Sequence, residues 1–501
     1  MSQTASAASA ARAPACATTQ ATPTDAASPS TLLQRSLAAA LTALCCTATI
    51  HAQAELEARA ITTGDGSRFT LIRDPNLRQV HWALASWVDG RDDPPSLPGL
   101  AAATLRASLR GTWATGSKNP TAERAALTAL DKAWQARMAD PTDAAAGAAL
   151  LEHDRAAAAL CDPRAFGRVL AALPAQRPEI LQNDGIAVFA LTTVAPALPQ
   201  VAALVVERRE QQVLRGLART WLPALMRRAE DYARRPSRRV EAELLALTMP
   251  SSPTIALLEQ PPMVAPQRTD ALATWAASQH PTRTAHVLYG DLDLDRAARQ
   301  LARAFATTAL PAPPRPNLRA ARPLSARRRS VVARAATDSV SLAWVLPAAT
   351  DPWVADVAAR WLGDARSGRL TNALRKKRPQ LELRAIGPWP NGASPGLLRI
   401  DARDPDGAAG LAEEVIAECA AAASQPLEEA AYLRANTAAV AEWLRATADS
   451  RALAVLLAER ALRAPSAAIS ARAPARVPGA AIRKVLRSTL AGEPAIVEGP
   501  R

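Results

Sequence analysis

The chain has 501 residues and a formal net charge of +14, and nearly half of it (49%) is hydrophobic although only 4% is aromatic. That length exceeds one ordinary core and calls for two or more domains, and the alanine-rich, aromatic-poor composition suits a helix-rich globular protein. Of the 60 basic residues only Lys118, Lys132, Lys376, Lys377 and Lys484 are lysine. The arginines are interleaved with acids and no nucleic-acid motif accompanies them, so the charge reads as a solvated surface rather than a nucleic-acid interface.

Residues 1–30 are rich in Ala, Ser, Thr and Pro without an apolar period, which predicts disorder. Arg35 then precedes a short apolar run over 36–50 that ends at Ala52-Gln53-Ala54. A positive residue, an apolar core and an A-x-A site describe a secretory signal peptide, and this run is too short for a membrane span. Residues 1–54 are therefore taken as leader plus signal peptide, and the mature protein as soluble and periplasmic or secreted. Beyond the leader only Cys161 and Cys419 remain. They make no disulfide framework and read as buried free thiols, pairing only if the fold joins them.

Alternation over 68–73 and 79–88 predicts two strands joined around Asp74-Pro75-Asn76, and a loop over 89–95 leads into a helix. Segments 121–138 and 143–160 are amphipathic, split by Asp140-Pro141. A strand is expected over 184–193, and mostly helix over 198–235, kinked or broken at Pro223. Helix 269–278 leads to strand 284–289, which closes on Gly290-Asp291-Leu292-Asp293 before helix 294–305. Residues 311–323 carry four prolines in their first six positions and form the clearest linker. Past it the order begins again: strand 339–346, helices 351–362 and 367–377, strands 381–386 and 397–402, helices filling 407–463, then helix 480–489 and a short strand 494–497. The glycine- and proline-rich stretch 387–396 reads as a hairpin loop. The two sides share one order of elements, so the fold class is α+β, two copies of one unit of sheet and long helices.

The helix after the first strands runs Gly99-Leu100-Ala101-Ala102-Ala103-Thr104-Leu105-Arg106-Ala107-Ser108-Leu109-Arg110-Gly111-Thr112. Read plainly it is an ordinary helix, with Pro98 near its first turn and Gly111 past its end. It also resembles the zinc helix of the insulinase/pitrilysin metallopeptidases, which opens near Gly-Leu-Ala, carries His-x-x-Glu-His and closes at Gly-Thr. Ala102, Leu105 and Arg106 stand at the His, Glu and His positions, and none of them offers a lone pair to a cation. Two further stretches support the resemblance. His286-Val287-Leu288-Tyr289-Gly290-Asp291 is similar to the family's strand ending in Gly-Asp. Ser367-Gly368-Arg369-Leu370 with Leu374-Arg375 is similar to a Ser-x-Leu…Leu-Arg stretch of its second domain, with one extra residue before the leucine. The helices in 121–160 match an insertion of some bacterial members.

The resemblance spans about residues 56–497 and implies two related domains, 55–310 and 328–501, joined by the linker 311–327, as in a half of a mitochondrial processing peptidase. The family's third zinc ligand, a glutamate, aligns with Gly216 or with Arg228, so ligands and catalytic base are all missing and zinc is expected to be absent. Silent partners in the family contribute an arginine and a tyrosine that hold the substrate backbone. Arg375 matches the arginine and is the one candidate substrate-binding residue, though it equally suits a surface position in Arg375-Lys376-Lys377-Arg378. The tyrosine falls near Glu382 or Leu383. The five histidines (51, 81, 153, 280, 286) show no metal spacing. His81 and His286 lie in expected strands as hydrogen-bonded core or surface residues, and Asp291, Asp293 and Asp295 do not complete a calcium loop.

The expected function is that of a non-catalytic insulinase-family protein of the cell envelope, the silent half of a two-half peptidase chamber that binds unfolded peptide. Its partner would be a catalytic subunit of the family or a second copy, without nucleic acid or a membrane span. The alternatives are an active hydrolase with a rebuilt site, or a basic envelope binding or scaffold protein.

Overall fold

The computed structural model of the chain describes residues 56–499 except 89–92, 95, 177, 184, 249–263, 307–323, 333–334, 349, 390–395 and 464–473. The leader with its signal peptide, the Pro-rich stretch 311–323 and the tip of the 387–396 loop lie outside the described residues. From Glu55 to Arg501 the chain forms one compact unit.

Two sheets organise it. The first has the order β1 (Ala58–Thr62), β2 (Arg68–Arg73), β6 (Thr284–Gly290), β3 (Val80–Trp87), β5 (Ile186–Thr193) and β4 (Glu179–Asn183). The second has the order β7 (Arg328–Val331), β11 (Ala495–Glu498), β8 (Ser339–Val345), β10 (Leu397–Arg403) and β9 (Glu382–Trp389). In the first, β2 pairs parallel with β6, and β6, β3, β5 and β4 then run antiparallel in turn. In the second, β7 pairs parallel with β11, and β11, β8, β10 and β9 are antiparallel in the same sequence. Strand for strand the two sheets are one design, with β1 an addition at the first sheet's edge, so the fold is a duplicated α+β unit.

The helices repeat as well. The first half carries α1 (Leu100–Ala107), α2 (Pro120–Ala139), α3 (Ala144–Ala159), α4 (Ala165–Ala172), α5 (Leu198–Glu210), α6 (Leu217–Arg234), α7 (Pro236–Thr248), α8 (Arg268–Ser278) and α9 (Leu294–Ala304). The second carries α10 (Pro352–Gly363), α11 (Arg369–Leu374), α12 (Leu411–Ser424), α13 (Glu429–Ala446), α14 (Ser450–Arg463) and α15 (Gly479–Leu490). Local chemistry sets their ends. Asn119 accepts the Ala122 N–H with Pro120 at the first helical position of α2, and Asp143 accepts the Ala145 N–H to start α3.

The kink expected at Pro223 is not where the helical region divides. Pro223 sits inside α6, which runs from Leu217 to Arg234, whereas the break spans 211–216 and ends on Gly216, whose φ of 64° is left-handed. A proline removes one intrahelical hydrogen bond, but the left-handed glycine cannot be continued as helix at all. The edge strands β1 and β4, the short β7 and the helix α4 carry too little periodic signal and went unforeseen.

Each sheet buries both faces, and one cover is borrowed. Phe69, Leu71, Trp82, Leu191 and Leu288 pack under α5 and α9 on one face of the first sheet. Its other face, with Ala83, Ala85, Val188, Val287 and Tyr289, packs against Leu453, Leu457 and Leu462 of α14, from the second half. Conversely, Ala343, Val345, Leu397 and Val497 of the second sheet are covered by Leu244 of α7, from the first half. α7 and α14 occupy the same place in the repeat, the third helix after β5 and after β10. The exchange explains why β5 and β6 are buried along their whole length: strands covered on both faces lose the in–out alternation of a half-exposed sheet.

Candidate functional site: the glycine-bounded helix and its sheet edge

α1 begins because Asp93 reaches back to it, accepting the Gly99 N–H at 2.5 Å and the Ala101 N–H at 2.7 Å. Gly99 is left-handed, with φ 82°. After one tight turn over Ser108–Arg110 the chain leaves at Gly111, where a side chain would strike the Thr115 carbonyl. Both glycines of the sequence frame are thus demanded by the backbone.

The three chemical positions within that frame hold no metal donors. Ala102 is half-buried. Leu105 is buried among Leu217, Trp221 and Leu225 of α6, the helix against which α1 packs. Arg106 is exposed, and its Nη2 donates to Gln182 Oε1 on β4 at 3.2 Å. Gly216 caps the start of α6, and any side chain there would run into the Arg110 guanidinium, while Arg228 lies farther along the same helix. A methyl group, an isobutyl group in an apolar cluster and a guanidinium do not fit zinc, which needs neutral imidazoles, thiolates or carboxylates. Among the described residues no three His, Cys, Asp or Glu side chains converge in a way that could hold a metal.

Beneath α1 lies an arrangement that sequence reasoning missed. Arg208 is fully buried, its Nη2 donating to Ser108 Oγ at 2.7 Å, and that hydroxyl donates on to the Leu105 carbonyl at 2.6 Å. Its guanidinium lies 4.3 Å from the Phe189 ring and 4.7 Å from the Trp275 ring. Burial pulls its pKa down to about 9, so it stays charged at neutral pH. Arg215, paired with buried Glu123, donates to the carbonyls of Arg110 and Thr112. Two cations therefore meet the negative, C-terminal end of α1, where the helix dipole favours them. Four arginines depart from the solvated surface expected of the rest: Arg208, Arg209, Arg215 and Arg399 are buried, Arg209 on Asp65 and Arg399 on Glu241 and Asp401. The available signal was a pair of arginines extending the apolar face of Val201 and Val205.

Arg375 stands in the other half, at the end of α11, half-buried, with its Nε donating to the Leu381 carbonyl at 3.1 Å. Its neighbour Arg378 is the better-anchored residue, bonded to Asp404, Glu414 and the carbonyls of Gly407 and Ala409. At the expected tyrosine position Glu382 is exposed and Leu383 is in the core. His81 and His286 do lie in strands. His286 stacks on Phe69 at 4.2 Å and accepts from Trp82 Nε1, and burial pushes its pKa down to about 3. Both cysteines are free, Cys419 buried and Cys161 only half-buried, a partial correction of the buried-thiol expectation.

Residues 267–437 match the family model described as the peptidase M16 inactive domain. A crystal structure of a peptidase M16 inactive domain from Pseudomonas fluorescens is similar at 14% identity and TM-score 0.62, over 89% of this chain and 98% of that one. A protease from Helicobacter pylori matches at 12% identity and TM-score 0.61, over 89% and 100%. A chain of Complex III2 from Candida albicans matches at 13% identity and TM-score 0.57, over 88% and 95%. Among curated proteins none matches. No helix among the described residues is long and apolar enough to cross a membrane.

Proposed function

We propose that the chain, of which residues 267–437 match the peptidase M16 inactive domain, is a non-catalytic, exported member of that family, forming one half of a two-half chamber that holds unfolded peptide. The observation that carries this reading is the content of α1: Leu105 is embedded in apolar packing and Arg106 is turned onto Gln182, where the family's chemistry needs a base and a metal ligand. Water activation by a metal requires lone pairs at those positions, and the side chains there have none to give. Peptide binding is supported by β4, which ends the first sheet beside α1 and has no further partner strand among the described residues, with Leu181 exposed. An extended peptide adds to such an edge through its main chain. Arg375 would contribute its Nη groups to a peptide carbonyl or carboxylate, its Nε being used by Leu381. The second half of the chamber would be a zinc-bearing homologue or another copy of this chain.

The test is elemental analysis of the purified full chain, with affinity purification from its host and a binding assay on unstructured acidic peptides. The expected result is substoichiometric zinc, co-purification with a His-x-x-Glu-His homologue or self-association, and peptide binding weakened by Arg375→Ala. Stoichiometric zinc with chelator-sensitive peptidase activity would overturn it in favour of a rebuilt catalytic site. A monomer that binds anionic lipid in a salt-sensitive way and no peptide would overturn it in favour of an envelope scaffold. N-terminal sequencing of the protein from periplasmic and cytoplasmic fractions checks export.

A further inference from the structure

The polar contacts that tie α14 to the first sheet are concentrated in its first turn. His81 is buried on β3. Its Nδ1 lies 3.0 Å from Thr192 Oγ1 on β5, within its own half, and its Nε2 lies 2.8 Å from Ser450 Oγ, the first residue of α14. The next residue, Arg451, donates to the Ala190 carbonyl on β5 and pairs with Glu179 at 3.2 Å. Glu179 opens β4, so the borrowed helix also holds the free edge strand. We propose that this turn is an acid-sensitive clasp: protonation of His81 loosens Ser450 and Arg451 from the first sheet and releases the β4 edge from the second half.

The charged and titratable surroundings set the sign. From the α14 side His81 faces Asp449, which favours the imidazolium, and Arg451, which opposes it. From β6 it faces Tyr289, its cross-strand neighbour, whose hydroxyl is engaged by Asp74. β5 contributes only the Thr192 hydroxyl, and the Glu179 carboxylate of β4 is taken up by Arg451. Burial is the largest influence and holds the imidazole below its usual range, so His81 is neutral at pH 7. A group depressed in the folded state contributes stability above its unfolded value, about 6.5, and that contribution is lost as pH falls towards the folded value. The imidazolium regains hydration most directly if the α14 turn lifts away, which breaks the Ser450 contact and draws Arg451 from Glu179. The clasp acts on the same β4 edge as the peptide-binding reading but does not rest on it, because its contacts lie within one chain.

Hydrogen exchange of the full chain at pH 7.5 and pH 5.5, corrected for intrinsic rates, tests it. Exchange in 450–457 and 179–183 should be faster at the lower pH, by at most about tenfold for each unit titrated by one group, while the α10 and α12 segments stay unchanged. His81→Gln, whose amide can meet both hydroxyls without titrating, should abolish the difference. Ser450→Ala should bring exchange at pH 7.5 close to the parent's rate at pH 5.5. A pH-independent parent, a pH effect that survives His81→Gln, or an unaltered Ser450→Ala would each overturn the clasp.

Discussion

Arginine takes up at α1 a role unlike the one its abundance suggests. Arg208 and Arg215 are cations placed at carbonyls, one through Ser108 and one directly, and each is balanced by aromatic faces or a buried glutamate. A charge leaves water only when such partners replace the lost hydration, so the local geometry is held firmly. His286 gives the residue scale its sharpest expectation. Buried on Phe69 and Trp82 with its pKa at about 3, it is neutral when folded while an unfolded histidine takes a proton below about 6.5. The unfolded state then binds one more proton, and stability falls as pH drops between those values, by about 1.4 kcal/mol per unit at the limit. His286→Gln, which can still accept from Trp82, should remove one proton's worth of that slope, read from urea midpoints across pH 6 to 4.

Among the elements, α1, α7 and α14 carry the consequences. The frame around α1 survives because Gly99 and Gly111 have positive φ and Asp93 caps the start, none of which depends on a metal. Backbone geometry and side-chain donors are separate requirements, so the frame of α1 stands without any metal ligand in it. α7 and α14 each close the sheet of the other half, so truncating either core leucine should act across the boundary. Leu244→Ala and Leu457→Ala, both at fully buried positions, should each cost about 2–5 kcal/mol. Hydrogen exchange should register the first in β8 and β11 and the second in β3 and β6, in the half that does not contain the mutation.

At the scale of the whole molecule, reciprocal covering argues against two independently stable domains. Calorimetry of the full chain should give one transition, and both leucine variants should shift it together. A fragment ending near residue 320 should bind a hydrophobic dye strongly, because the face built from Ala83, Val188 and Val287 has lost its cover, and adding the complementary fragment should suppress the signal. Two separate transitions, or a fragment indifferent to its complement, would show that the exchanged helices contribute little.

The duplicated order of strands and helices, the Gly-bounded frame of α1 and the loss of donors at Ala102, Leu105 and Arg106 were all determined by the sequence, because periodicity, glycine and side-chain chemistry act over a few residues. Only the tertiary structure decided which helix covers which sheet, where the helical run 198–235 divides, which arginines leave solvent and that His81 meets Ser450. Those outcomes join residues far apart in the chain, Arg208 to Ser108 and His81 to Ser450. A local pattern of apolar positions specifies that a face must be buried, and leaves open the partner that buries it.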